Sequence, residues 1–324
     1  VVPEAYGGAG ADTVSYVLAL MEIAGGDGGV STIMSVQNSP MCAAILGYGS
    51  EQQKRAYLPA LATGEQIGAF LLTEPQAGSD ASQLLTKATL DGTGYRLTGT
   101  KQFITSGRTG DLAMIFAVTD AEAGKRGISC FLAPTNAAGY VVAKEEKKLG
   151  QNSSDTCQIV LDGLRVDGDA MLGEPGQGYK IALANLSIGR IGIAAQAVGM
   201  ASAALDFAVQ YARDRKSFGQ AIIEHQAVGH RLADLATRLE MARLGVLHAA
   251  SLRDAGAPCL REASMAKLFA SEAAEVICSG AIQTLGGYGY LADYPVERIY
   301  RDVRVCQIYE GTSDVQRMVI ARDL

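Results

Sequence analysis

Gly68-Ala69-Phe70-Leu71-Leu72-Thr73-Glu74-Pro75-Gln76-Ala77-Gly78-Ser79-Asp80 is the stretch where the chain changes character. Before it, from Val14 to about Ala62, apolar residues recur at helical intervals, as in Leu18, Met21 and Ile23 and then Met41, Ile45 and Leu46. From Phe70 onward the apolar runs are short and bounded by turn residues: Phe70 to Leu72, Met114 to Val118, Ile128 to Ala133 and Thr156 to Leu161. These read as strands. Asp91-Gly92 and the alternation through Tyr95, Leu97 and Phe103-Ile104 predict hairpins, so an antiparallel sheet or barrel is favoured over parallel βαβ units. After Gly173-Glu174-Pro175-Gly176 the helical period returns over Tyr179 to Arg213, Gln226 to Ala255 and Arg261 to Leu285, with a fourth helix near the end. Pro258 separates the second of these from the third, and Gly286-Gly287-Tyr288-Gly289 ends the third. The fold class is therefore α+β, mostly α: a helical domain over 1–67, a β domain over 68–172 and a helical bundle over 173–324.

Composition sets outer limits on function. The 324 residues suffice for two or three units at about 100 to 200 residues each. With 48% apolar and 19% charged residues the chain builds cores and lacks the signature of disorder. A net charge of -6 gives no global attraction to nucleic acid. Ile191 to Leu205, the longest nearly apolar run, is shorter than the ~20 residues a bilayer requires, so no membrane span is expected. The opening Val1-Val2-Pro3-Glu4 shows no leader pattern. Six scattered cysteines without a C-x-x-C fit reduced, buried thiols, and His225, His230 and His248 have no zinc spacing, so no metal is expected.

Several catalytic patterns are absent: neither G-x-S-x-G nor G-x-x-x-x-G-K-[ST] occurs. Gly287-Tyr288-Gly289-Tyr290-Leu291-Ala292 fits G-x-G-x-x-[GA], yet it follows a helix where a dinucleotide fingerprint must follow a strand, and it reads as a helix-ending turn. Four segments carry more. Thr73 to Asp80 leaves a strand with hydroxyls and free amides held by Pro and Gly, suited either to a polar ring edge or to ordinary turn bonds. Phe103-Ile104-Thr105 ends another strand. Arg213 to Gln220 joins basic residues, Phe218 and Gly219 at a helix end, suited either to phosphate and an adjoining aromatic base or to compensation of the helix dipole. In Gln307 to Asp314, capping explains Thr312, Ser313 and Asp314 but leaves Glu310 unassigned. Glu145-Glu146-Lys147-Lys148 is read as a solvated linker face.

Taken in order, TEPQAGSD at 73–80, FIT at 103–105, LGEPGQGY at 172–179, RKSFGQ at 215–220, QTLGGYGY at 283–290 and YEGTSDVQR at 309–317 closely resemble the acyl-CoA dehydrogenase family, of a short- or medium-chain-like type. The likeness extends from VPEAYGG at 2–8 to the last residue, with the family's opening helices expected before that stretch. The resemblance implies a helical N-terminal domain, a β domain and a C-terminal four-helix bundle, assembled as a homotetramer around FAD. By position, Phe70, Leu72, Thr73, Gly78, Ser79, Phe103, Ile104 and Thr105 would hold the isoalloxazine ring. Arg215, Ser217, Phe218 and Gln226 would hold the pyrophosphate and adenine end, joined by Gln283, Leu285, Gly286 and Gly287 of a neighbouring subunit. Thr312, Ser313 and Asp314 would also touch FAD.

The implied activity is α,β-dehydrogenation of an acyl-CoA to a trans-2-enoyl-CoA, with Glu310 removing the α-proton and hydride passing to flavin N5. Some members carry the base one residue before the position of Arg190. Here that residue is Gly189, and Ser187 replaces an acid found in other members. Ser79, Ser187, Arg190, Tyr309 and Gly311 are the implied substrate-side residues. Ser31, Thr32 and Ser35 align near the acyl tail, where their small size leaves room. An electron-transfer flavoprotein is the implied acceptor, in the cytoplasm of a bacterium or the mitochondrial matrix of a eukaryote. Two alternatives stay open: an acyl-CoA oxidase using oxygen, and a family-like flavoprotein without dehydrogenase activity.

Overall fold

The computed structural model describes the backbone of residues 1–324 and every side chain except that of Ser187. The first helices are α1 (Thr13–Gly26), α2 (Gly28–Val36), α3 (Ala43–Tyr48) and α4 (Glu51–Thr63). Local chemistry fixes their starts. Asp12 accepts from the Ser15 N–H at 2.7 Å, and Ser50 with Gln53 forms a reciprocal capping box.

Strands follow: β1 (Gly68–Leu71), β2 (Lys87–Asp91), β3 (Gly94–Thr105), β4 (Leu112–Val118), β5 (Ile128–Pro134), β6 (Tyr140–Glu145) and β7 (Thr156–Val166). The Asp91-Gly92 turn joins β2 to β3 as expected, with Asp91 opposite Gly94. The sheet runs β1-β4-β2-β3-β7-β6, with β5 on β4. It is antiparallel at β2–β3, β3–β7, β4–β5 and β6–β7, whereas β1 and β2 each meet β4 in parallel. The expectation of hairpins alone missed those two pairings, because β4 accepts strands reached through long loops. The segment 145–148 is also not purely a linker: Glu145 closes β6.

The remaining elements are α5 (Gly178–Asp214), the two-residue strands β8 (Lys216–Ser217) and β9 (Gln220–Ala221), α6 (Gln226–Asp254), α7 (Leu260–Leu285), α8 (Pro295–Val303) and α9 (Ser313–Ala321). α5 is long and apolar enough to cross a bilayer, a criterion that the run Ile191 to Leu205 alone did not meet. Yet 76% of its most apolar window is buried, as in a core helix.

Compactness divides the chain into two units. The first holds Val1–Ala11, Ile33–Lys147 and Ser154–Gly189; the second holds Asp12–Thr32, Lys148–Ser153 and Arg190–Leu324. In the first unit β4 reads Leu-Ala-Met-Ile-Phe-Ala-Val and is buried almost throughout, because alternate residues feed different cores. Leu112, Met114 and Phe116 join Met41, Ile45, Leu58 and Leu61 of the helical side. Ala113, Ile115 and Ala117 face Leu97, Phe131, Ile159 and Leu161 inside the curved sheet. Truncating Phe116 to Ala would cost about 3–5 kcal/mol, the usual range for emptying such a site.

In the second unit small residues permit close helix approach. A Cβ on Gly199 of α5 would fall 2.1 Å from the Met21 carbonyl oxygen of α1, so no larger residue fits that crossing. Asp254, the last residue of α6, accepts from the Thr13 and Val14 N–H groups at 2.8 and 2.9 Å and so caps α1. α7 buries Ala263, Ala266, Ala270, Ala273, Ala274 and Ala281. Gly286, at φ +62°, ends α7 where the sequence placed its stop.

Candidate active site

Five non-glycine residues have positive φ, and three of them are sequence-derived site positions: Phe103 at 59°, Phe218 at 52° and Glu310 at 55°. Such backbone is disfavoured and tends to concentrate where function requires it.

Glu310 lies in the turn leading to α9, with Gly311 at φ +88° beside it. Thr312 caps that helix by accepting from the Val315 N–H at 3.3 Å, as its position implied. Among the described residues, Glu310 Oε2 is buried without a hydrogen-bond partner. Burial pushes the Glu310 carboxyl up to about 7, while the Lys267 and Arg190 charges pull in the opposite direction. Arg190 donates from Nη1 to Ser264 Oγ at 3.1 Å and, among the described residues, its buried Nε has no partner. Burial holds the Arg190 value below the ordinary guanidinium range, against the pull of Glu310. The structure therefore brings the expected base and the expected substrate-side arginine into one electrostatic neighbourhood. The side chain of Ser187, also expected there, lies outside the described residues.

Behind Glu310 runs a polar network that the sequence did not disclose. The Tyr309 hydroxyl donates to Gln196 Oε1 and sits 3.4 Å from Gln151 Nε2 and 3.5 Å from Thr32 Oγ1. Gln196 Nε2 donates to Ser31 Oγ at 2.7 Å and Thr32 Oγ1 at 2.6 Å. The Ser31 and Thr32 hydroxyls, expected near an acyl tail, are thus engaged by the Gln196 and Gln151 side chains. Ser35 is buried with an unpartnered hydroxyl. Burial raises the Tyr309 phenol well above its ordinary value, so it stays a neutral donor.

In the first unit the two expected ring-binding segments meet. The Gln102 N–H donates to the Thr73 carbonyl at 2.8 Å, which places Thr73 beside the β3 bulge that turns Phe103 outward, 65% exposed. Gly78 and Ser79 are exposed, and Thr105 is half-buried. Phe70 is half-buried and packs edge-on to Phe116 at 5.0 Å, while Leu72 and Ile104 are buried in the two cores and present backbone groups alone.

The sequence also overlooked what holds this loop. Lys101, fully buried, donates to Glu74 Oε1 at 2.8 Å, the Leu72 carbonyl at 3.2 Å and the Phe116 carbonyl at 2.7 Å. Glu74 further accepts from Gln76 Nε2 at 2.7 Å, the Leu85 N–H at 2.7 Å and the Thr86 N–H at 3.1 Å. Burial opposes its charge, but Lys101 and these donors win and hold the Glu74 carboxyl below the ordinary range. Burial draws the Lys101 ammonium down to about 8.

In the second unit Arg215, Ser217, Gln283, Leu285, Gly286 and Gly287 line one depression of about 410 Å³ with Tyr211 and Tyr288. Arg215 lies 5.7 Å from the Tyr288 ring centroid. Leu285 is buried, so it offers backbone alone. The residues assigned to two subunits thus share a wall of one chain. Phe218 is 96% exposed, Gln226 is exposed, and Asp314 points outward with a 92% exposed side chain. The Ser313 hydroxyl is buried without a partner. A cation, aromatic faces and open glycine backbone fit the phosphate and base of a dinucleotide. A second cavity, of about 270 Å³ beside Gln53, Tyr57 and Arg165, gathers none of the expected residues.

The acyl-CoA dehydrogenase N-terminal, middle and C-terminal domain models match residues 1–65, 69–164 and 176–324. The chain belongs to the acyl-CoA dehydrogenase family. It is 50% identical over 323 residues to an acyl-CoA dehydrogenase of Bacillus subtilis, covering 100% of this chain and 85% of that one. It is 47% identical to the mitochondrial short-chain specific acyl-CoA dehydrogenase of Homo sapiens, over 100% of this chain and 78% of the other. The solved butyryl-CoA dehydrogenase of Megasphaera elsdenii superposes with a TM-score of 0.97 at 42% identity, covering 99% and 85% of the two chains. As an acyl-CoA dehydrogenase family member, this protein is an oxidoreductase acting on acyl-CoA, and the family is FAD-dependent.

Proposed function

We propose that Glu310 is the base of FAD-dependent α,β-dehydrogenation of a short-chain acyl-CoA. The observation that carries this reading is a buried carboxylate with one unpartnered oxygen, in a left-handed turn, whose value is pushed up to about 7. A solvated carboxylate is too weak a base for a carbon acid; this one is matched to neutral pH. Glu310 takes the α-proton, and its N–H donates to the thioester carbonyl as negative charge develops there. In this reading Tyr309, kept neutral by burial and fixed in place by its hydrogen bonds, closes the acyl end, which supports short chains.

Bound FAD supplies the acceptor for the β-hydride. Thr73, Ser79, Thr105 and the backbone at Phe103 would hold its ring, while Arg215, Ser217 and Gln283 to Gly287 would hold its pyrophosphate and adenine end. Gln226, Phe218 and the Thr312 to Asp314 turn are further contacts in this reading. Exposed Met241, Leu244, Phe269 and Val276 on α6 and α7 support assembly with further copies, which we take to be a homotetramer. An electron-transfer flavoprotein is the proposed acceptor, in a bacterial cytoplasm or a mitochondrial matrix.

Anaerobic flavin bleaching across a panel of straight and branched acyl-CoAs tests activity and chain length together. The parent should bleach with four- to six-carbon chains, and Glu310→Gln should bind acyl-CoA without bleaching. Undiminished bleaching by that variant rejects the assignment.

A further inference from the structure

Lys267 has no role in the chemistry above. It stands on α7 among Ala263, Ala266 and Ala270 and is fully buried with them. A buried ammonium is costly unless its donors are satisfied. Its Nζ donates to the Gly311 carbonyl at 2.7 Å. The same carbonyl accepts from Gln316 Nε2 at 2.8 Å, and that amide also reaches the Glu310 carbonyl at 3.3 Å. A turn with φ of +55° and +88° at successive residues persists only when its surroundings hold it, and these two buried side chains do so.

We propose that Lys267 is the positioning residue of the base: by gripping the Gly311 carbonyl its ammonium fixes the Glu310 turn, and its charge favours the Glu310 carboxylate. The inference rests on Glu310 being the base. Two cations act on Glu310, Lys267 from α7 and Arg190 from α5; burial draws Lys267 itself down to about 8, with Cys306, Glu310 and Glu272 opposing and Arg190 adding to that fall. Arg190 is fastened to Ser264, so Lys267 is the cation bonded to the turn itself.

The test uses the flavin-loaded protein and butyryl-CoA, following anaerobic flavin reduction against pH in the parent, Lys267→Met and Lys267→Arg. Loss of the neighbouring positive charge should move the acid limb of Lys267→Met upward by about one pH unit or more, a roughly tenfold slower reduction below the limb. The rate should recover at high pH, and Lys267→Arg should keep the parent limb. The ¹³C carboxyl resonance of Glu310, assigned by its loss in Glu310→Gln, should titrate with the same displacement without turnover. A uniformly slower Lys267→Met with unmoved limb and resonance overturns the proposal and leaves the base reading intact. Full reduction by Glu310→Gln overturns the base reading itself. If Lys267→Met does not fold, Lys267→Gln keeps a donor for the carbonyl, drops the charge and decides by the same two measurements.

Discussion

The two compact units each bury a lysine near a glutamate, and they treat the pair differently. In the β domain Lys101 touches Glu74 at 2.8 Å, and every Glu74 oxygen accepts from a further donor. In the helical unit Lys267 bonds a backbone carbonyl instead, and Glu310 retains a buried oxygen without a partner. Desolvation acts on both carboxylates, so the donor sets decide the outcome. Glu74 falls below the ordinary carboxylate range, whereas Glu310 rises to about 7. A satisfied pair anchors a loop; an unsatisfied carboxylate is available to take a proton.

The sharpest way to break this contrast is Glu310→Gln. Flavin reduction should fall by about 10² to 10⁴, the usual share of a positioned general base, with the fold retained by circular dichroism. Lys101→Met should do the reverse: a loss of about 3–5 kcal/mol in denaturant unfolding, because it strands a buried carboxylate, with the pH limb of reduction unmoved once flavin is bound. A variant that shifted the limb without losing stability would exchange the roles assigned to the two sites.

The pH dependence of stability should carry opposite signs. Glu310 has a folded value above its unfolded one, so its contribution is present below about 4.5 and is lost as pH rises through about 7. That difference corresponds to about 3 kcal/mol at about 1.4 kcal/mol per pH unit. Glu310→Gln should therefore be more stable than the parent above pH 7 and lose the advantage in acid. Glu74 has a depressed folded value, so its contribution is present above the ordinary carboxylate value and is lost as pH falls through the depressed one. Unfolding midpoints measured from about pH 2 to 8 in Glu310→Gln and Glu74→Gln check both signs, the Glu74 loss falling below the ordinary carboxylate value and the Glu310 loss above it. The smallest effect is expected for Tyr309→Phe. Leaving Gln196 Oε1 without its donor should cost about 1–3 kcal/mol, with reduction of a short-chain substrate changed less than tenfold.

Much of this was legible in the residues. The return of the 3.6 period after Gly173 located the long helices, and Gly286 marked the end of α7 because only glycine readily turns left-handed there. YEGT singled out Glu310 because capping accounted for its neighbours and not for it. The Lys101 and Lys267 roles were not read, although a signal existed for the second: 263, 267, 270 and 274 form one helical stripe, and a lysine among three alanines on such a stripe marks a buried charge. Gln196 gave no comparable signal, since one glutamine in an apolar run resembles a solvent-facing break. The parallel pairing of β1 with β4 was equally silent, because register across a long loop is not encoded locally.

Sequence alone determined the order of helical and β regions and the ends of the three long helices, and it marked Glu310 as the candidate carboxylate, since periodicity, capping and glycine conformations are properties of a few neighbouring residues. Only the tertiary structure decided which buried carboxylate would be more acidic than usual and which more basic. That depends on how many donors reach each oxygen and how much water is excluded, and those partners come from residues tens to hundreds of positions away.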